Sequence, residues 1–179
     1  GATLHDVIVR KTGGSVAFED GFTANLFDVS ESPGLALTFA AERTVTCAEL
    51  VLDGVTAASS APGMMWDVAV SASADVRGVT VSDSVATGLE ILAVAPSTDG
   101  ERNDNWRFNV KRAEWTGAKD SVFTNALNWS TGETPDENTL VSIVKAATIS
   151  VNASTPVAVG GLSLGGGEGA VSLSFATNL

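Results

Sequence analysis

The feature that most constrains this chain is its hydropathy rhythm, which has period two almost everywhere and period 3.6 almost nowhere. Short apolar-polar alternations occur at VIV (7–9), LALTF (35–39), LVL (50–52), WDVAV (66–70), VTV (79–81), LEILAV (89–94) and WRF (106–108). No window sustains apolar residues at i, i+3, i+4 and i+7, so helices are excluded as the main element. The runs are rich in β-branched and aromatic residues and are separated by Gly, Ser, Asp and Asn, which predicts strands of a few residues joined by turns. The chain is therefore expected to be all-β.

The alternating pairs fall into two interleaved series. Leu26, Leu50, Val79 and Trp106 stand 24, 29 and 27 residues apart, and Leu37, Val68 and Ile91 stand 31 and 23 apart. A loose period near 27 with two strands per repeat is the pattern a right-handed parallel β-helix, or β-solenoid, requires, because each coil must place its strands beneath those of the next. An antiparallel β-sandwich is the alternative, since it also produces short strands with frequent turns.

One stretch interrupts the rhythm, WTGAKDSVFTNALNWSTGETPDENTLV (115–141). Trp115 and Trp129 frame a segment crowded with Gly117, Asp120, Asn125, Asn128, Gly132 and Pro135, residues that favour turns and end helices. A compact loop pinned by the two indoles is expected. Each Trp can bury a large apolar area while its N–H meets a carbonyl, and the competing role is a platform for sugar stacking. Trp66 and Trp106 read as further structural anchors.

The series Trp115, Gly117, Asp120, Phe123, Asn128, Trp129, Ser130, Gly132 and Pro135 resembles a segment of large bacterial secreted and surface proteins, autotransporter-like with β-helical passengers. In those proteins the segment precedes short strands that wind into a solenoid, as TISVNASTPVAVGGLSLGGG would here. The tail Thr98, Asp99, Gly100, Asn103, Asn105, Trp106 and Phe108 resembles the closing coils of their repeat units. The resemblance covers about residues 113–175 and implies shape and an extracellular or cell-surface location, without catalytic residues. It divides the chain into closing coils of one module (1–112) and a Trp-anchored loop with the start of a second (113–179).

Composition narrows the function. The chain's 179 residues can bury roughly 70% of the unfolded surface. The single Cys47 precludes an intrachain disulfide. It sits among alternating apolar neighbours, far in sequence from His5, as a buried small hydrophobe does. Twenty-one acids against ten bases give a net charge of −11, spread along the chain. Without a basic face, nucleic acid and anionic membranes are not expected partners, and the acids read as a solubility device. No run of eighteen apolar residues exists, so membrane insertion is not expected either, and no charged-then-apolar leader opens the chain. Gly1 in place of a methionine, and a strand pattern still running at LSFATNL, suggest a piece of something longer.

Three groups of residues could carry chemistry. Asp99, Asn103 and Asp104 form a dense oxygen cluster that could supply part of a calcium shell, although Val110 occupies the position where an EF-hand loop needs Glu. A solvated Asx turn is the simpler reading. Asp67, Asp75 and Asp83 recur every eight residues. Carboxylates on stacked strands serve polysaccharide lyases and hydrolases, with Arg77 as the nearby base, provided two of them face each other about 5–10 Å apart. The Gly165–Gly167 run lacks the Lys and the helix of a phosphate cradle, and no nucleophile elbow or zinc pattern occurs, so no cofactor is expected. Asn128-Trp-Ser and Asn152-Ala-Ser match the N-glycosylation triplet. The sequence thus points to a non-enzymatic structural or adhesive solenoid, with surface glycans as possible partners and its open ends prone to end-to-end association. Two alternatives stand beside it: a carbohydrate-active β-helix, and a carbohydrate-binding or tail-fibre-like module.

Overall fold

The computed structural model describes residues 1–152, 157–165 and 169–176. The chain divides into two compact units, Gly1–Asn109 and Val110–Leu179. All the strand pairs described are parallel, and a single 3-10 turn at Ala126–Asn128 is the only helical element among the described residues. The chain is an all-β parallel solenoid, and the sandwich alternative, which needs antiparallel neighbours, falls.

In the first unit each coil has three short sides. The first coil holds β1 (Ala2–Thr3), β2 (Asp6–Ile8) and β3 (Ser15–Phe18). In the next three coils the first two sides run together as one bent strand: β4 (Phe22–Val29) followed by β5 (Ala36–Phe39), β6 (Thr44–Asp53) by β7 (Thr56–Ser59), and β8 (Trp66–Arg77) by β9 (Thr80–Val81). The fifth coil separates them again as β10 (Ser84–Ala86), β11 (Ile91–Val94) and β12 (Thr98–Asp99), and β13 (Asn103–Asp104) begins the sixth. The bend is visible in the ladder. Cys47 lies opposite Val70 but Glu49 opposite Ser73, so the register slips where β8 turns its corner. Such a bulge bends its strand and releases the local pairing.

The stacking follows from alternation. Val29, Leu52, Val76 and Ala93 are register partners in successive coils, as are Leu37, Ala57 and Val81, and all seven are buried. Side chains of one parity point inward on every coil, so each coil covers the apolar row of the one below. Phe18, Phe39 and Trp66 form a continuous ring stack through the unit, with centroids 5.1 and 4.0 Å apart. Each fully buried residue of this kind contributes about 1.5–3 kcal/mol. Some turns admit no side chain: a Cβ on Gly88 would lie 2.1 Å from the Val70 carbonyl oxygen.

The expected period is corrected. Partners in the first unit stand from 17 residues apart (Val76 and Ala93) to 24 (Asp53 and Arg77), shorter than 27. Leu26 lies opposite Glu49 and Leu50 opposite Ala74, whereas Val79 occupies the third side of its coil. The step of 29 counts one coil plus one side, and the step of 27 one coil plus two sides. Alternation marks sides of a coil, and three similar sides per turn make the sequence period ambiguous.

The second unit also stacks its strands in parallel, with two strands to a coil among the described residues. Its first coil runs from the end of β14 (Trp106–Glu114) to residues near Val122; the next holds β15 (Thr139–Ile143) and β16 (Ala147–Asn152), and the last β17 (Gly161–Leu164) and β18 (Val171–Ala176). β14 pairs with β15 and β15 with β17, while β16 pairs with β18 on one edge and bridges Val122 on the other. Ala113, Trp115, Phe123, Trp129, Val141, Ile143, Ile149 and Val151 make its core.

Candidate functional site

The Trp loop of the second unit is built around a buried amide. Asn128 is fully buried; its Oδ1 accepts from the Lys119 and Asp120 N–H groups at 2.9 and 3.0 Å, and its Nδ2 donates to Asp120 Oδ1 and the Val122 carbonyl at 2.7 and 3.0 Å. That uses the full capacity of an Asn side chain. Asn125 caps the 3-10 turn by accepting from Leu127 N–H at 3.1 Å. Trp129 Nε1 donates to the Phe123 carbonyl at 2.7 Å, and the Trp129 ring meets Trp115 and Phe123 edge-on at 5.0 and 4.8 Å. Gly117 takes a φ of +61°, a conformation glycine adopts freely.

Trp115 and Trp129 are only 4% and 3% exposed. Neither presents a ring face to solvent, so the sugar-stacking role is corrected: a buried indole cannot stack on a ligand. Trp66 is buried, and Trp106 is half-buried with its ring stacked on Phe108 at 5.9 Å.

The folded-back loop has a second effect. Ser130 N–H donates to the Glu114 carbonyl and Glu114 N–H donates to Ser130 Oγ, both at 2.9 Å, which lays Ser130 beside the end of β14 on the edge away from β15. A groove of ≈ 630 Å³ opens beside it across β14, β15 and β17. Register places Glu114, Ser142 and Ser163 side by side, and Arg112, Leu140 and Gly161 in a parallel row. These residues have the parity opposite to the buried Ala113 and Val141, so they face outward as the groove floor.

The other candidates do not assemble. Asp67 lies before the bend of β8, opposite Thr44 and Val85, and Asp75 lies after it, opposite Val51. Asp83 is in the turn before β10, buried, and accepts from Arg102 Nε at 2.5 Å. That bond, aided by the Gly63 N–H, holds its carboxyl below the ordinary value against the opposing effect of burial. An acid held ionised is the reverse of the protonated donor that glycoside cleavage needs. Arg77 pairs with Asp53 at 3.0 Å. Asp99 Oδ1 accepts from Glu101 N–H and Asn103 Nδ2 at 3.0 and 2.6 Å, forming an Asx turn, and Asn103 Nδ2 also donates to the Val81 carbonyl. Among the described residues no group of three or more His, Cys, Asp or Glu could hold a metal, and no helix is long and apolar enough to cross a membrane. Cys47 is buried and desolvation pushes its thiol up to about 11. Ser130 of the first glycosylation triplet is part of the groove wall, whereas the Asn152 triplet and the Gly165–Gly167 run lie partly outside the described residues.

A network that sequence reasoning passed over joins successive coils. Arg10 pairs with Glu31, Arg43 with Asp20, Arg77 with Asp53, Arg102 with Asp83 and Arg107 with Glu90, each 17 to 24 residues apart. Opposite charges at one coil's separation are a readable signal once the coil length is known. The chain matches no family model, no curated protein and no solved structure. Its class therefore rests on architecture: a parallel β-solenoid.

Proposed function

We propose that this chain is a non-enzymatic structural and adhesive segment of a bacterial secreted or cell-surface protein, working as a stalk or passenger scaffold. The observation that carries the reading is the uninterrupted inward row of the first unit, which closes coil on coil without a disulfide or a metal cluster among the described residues. Stacked coils of this kind make a stiff element whose stability grows with each neighbour. The coil-to-coil ion pairs tie the surface in the same direction, and the resemblance of residues 113–175 to surface-protein repeats supports the location. Strands β17 and β18 carry no charged residue and expose Leu162, Leu164 and Phe175.

The test is surface accessibility in the source cell. Antibodies raised against residues 1–179 are expected to label intact, unpermeabilised cells or to detect the protein in the medium. Labelling only after lysis would refute the proposal.

A further inference from the structure

We propose that the outer face of β14, β15 and β17 binds a linear, uncharged glycan laid across the strands, with about one sugar ring to each strand crossed. This deepens the adhesive part of the reading above and rests on it.

The spacing of the side chains suits a polymer. Ser130, Glu114, Ser142 and Ser163 lie on neighbouring chain segments in one row, joined by the Ser130–Glu114 hydrogen bonds and by strand register. Parallel neighbours are separated by about 4.8 Å, so the row presents four oxygen-bearing side chains over about 14 Å. A glycan chain repeats its ring hydroxyls at a similar interval. Side chains at a regular step along a groove favour a polymer with the same step.

The mixture of groups suits a sugar. Arg112 stands in the row beside, followed by Leu140 and then Gly161, so a donor, an apolar patch and a gap lie next to the hydroxyl row. Leu140 leans into that gap, with Cδ2 2.9 Å from where a Cβ on residue 161 would be. Sugar rings carry hydroxyls at the edge and C–H groups on the face, and sites of this type combine a few placed polar groups with apolar contact. Arg112 and Glu114 balance in charge, which gives no preference for an anionic polymer.

The pairing of the floor strands favours a glycan over an extended peptide. Peptides added to sheets are held by main-chain hydrogen bonds at a free strand edge. Here β15, in the middle of the floor, is paired on both edges, so a chain laid across the strands meets side chains there, whereas the outer edge of β17, which ends the sheet among the described strands, runs along the strand direction instead.

Isothermal titration of the full chain with cellotetraose and with chitotetraose tests the proposal. At least one is expected to bind, more tightly than the corresponding disaccharide. Ser142→Val puts a strand-favouring residue on the groove floor and is expected to weaken binding about tenfold, the equivalent of one hydrogen bond. Glu114→Gln keeps the shape and is expected to weaken it as well, while Ser172→Val, an exposed serine on β18, leaves it unchanged. Absence of binding by both tetrasaccharides, equal binding by all variants, or tighter binding of tetragalacturonate would overturn the proposal. A chain that is found on the cell surface yet binds neither tetrasaccharide would sink the groove and leave the scaffold standing.

Discussion

Replacing Asn128 by alanine removes the centre of the Trp loop, and the structure sets the size of the effect. The side chain makes four hydrogen bonds inside a fully buried site, one of them to the Asp120 carboxylate. Three neutral bonds at about 1 kcal/mol each, and one to a charged group at about 2, give about 5 kcal/mol; relaxation of the loop reduces this to about 3–4. With a urea slope of about 2 kcal/mol/M, the midpoint falls by about 1.5–2 M. The assay is a urea titration followed by tryptophan emission, since Trp115 and Trp129 pack against the loop that Asn128 holds. Asn128→Asp is the sharper variant, because it turns the two donated bonds into contacts between acceptors, facing Asp120 and the Val122 carbonyl. It is expected to cost more than alanine at pH 7, and its deficit is expected to shrink as pH falls and the new carboxyl takes up a proton. A loss below about 1 kcal/mol for Asn128→Ala, or no pH dependence of the Asn128→Asp deficit, would refute the account of the loop.

Other consequences are open to direct measurement. The Arg102 hydrogen bond lowers the Asp83 pKa, so its stabilisation is fully present above the ordinary carboxylate value of 3.8 and is lost as pH falls through the lowered one. Asp83→Asn is expected to be less stable than wild type at pH 7 and to show a shallower loss in acid, checked by thermal melts across pH 2–7. Cys47, with its thiol raised to about 11 by burial, is expected to stay unmodified by iodoacetamide at pH 8 in the native chain and to react fully in denaturant. Gly88→Ala places a methyl against the Val70 carbonyl and is expected to lower the melting temperature by several degrees.

The all-β class was readable because inward and outward residues alternate on every side of a coil; LALTF at 35–39, with Leu37 and Phe39 buried, is one such side. The coil length was not readable. Turns between sides vary in length, and β6 and β8 carry two sides in one strand, so Leu50 and Val79 looked like one repeat while lying on different sides. The Trp pair marked the loop correctly, but an indole in a turn-rich segment reads the same whether buried or exposed. Only packing against Phe123 decides between them. The groove left no local trace at all. Glu114, Ser130, Ser142 and Ser163 are ordinary residues up to 49 positions apart, and they meet through register and the fold-back of the loop alone.

The most direct test of the scaffold account is limited proteolysis of the native chain with a broad-specificity protease, read by intact mass. Stacked coils hold their corners by hydrogen bonds to neighbouring coils, such as Asn25 N–H to the His5 carbonyl at 2.6 Å, so these corners should resist cleavage. The expected result is early cutting in the exposed 131–137 loop, with the run from Phe22 to Asp99 surviving as a single fragment. Early cuts at the corners near Asn25, Ala48 and Ser71 would contradict it, because a scaffold whose coils open independently cannot act as a stiff stalk.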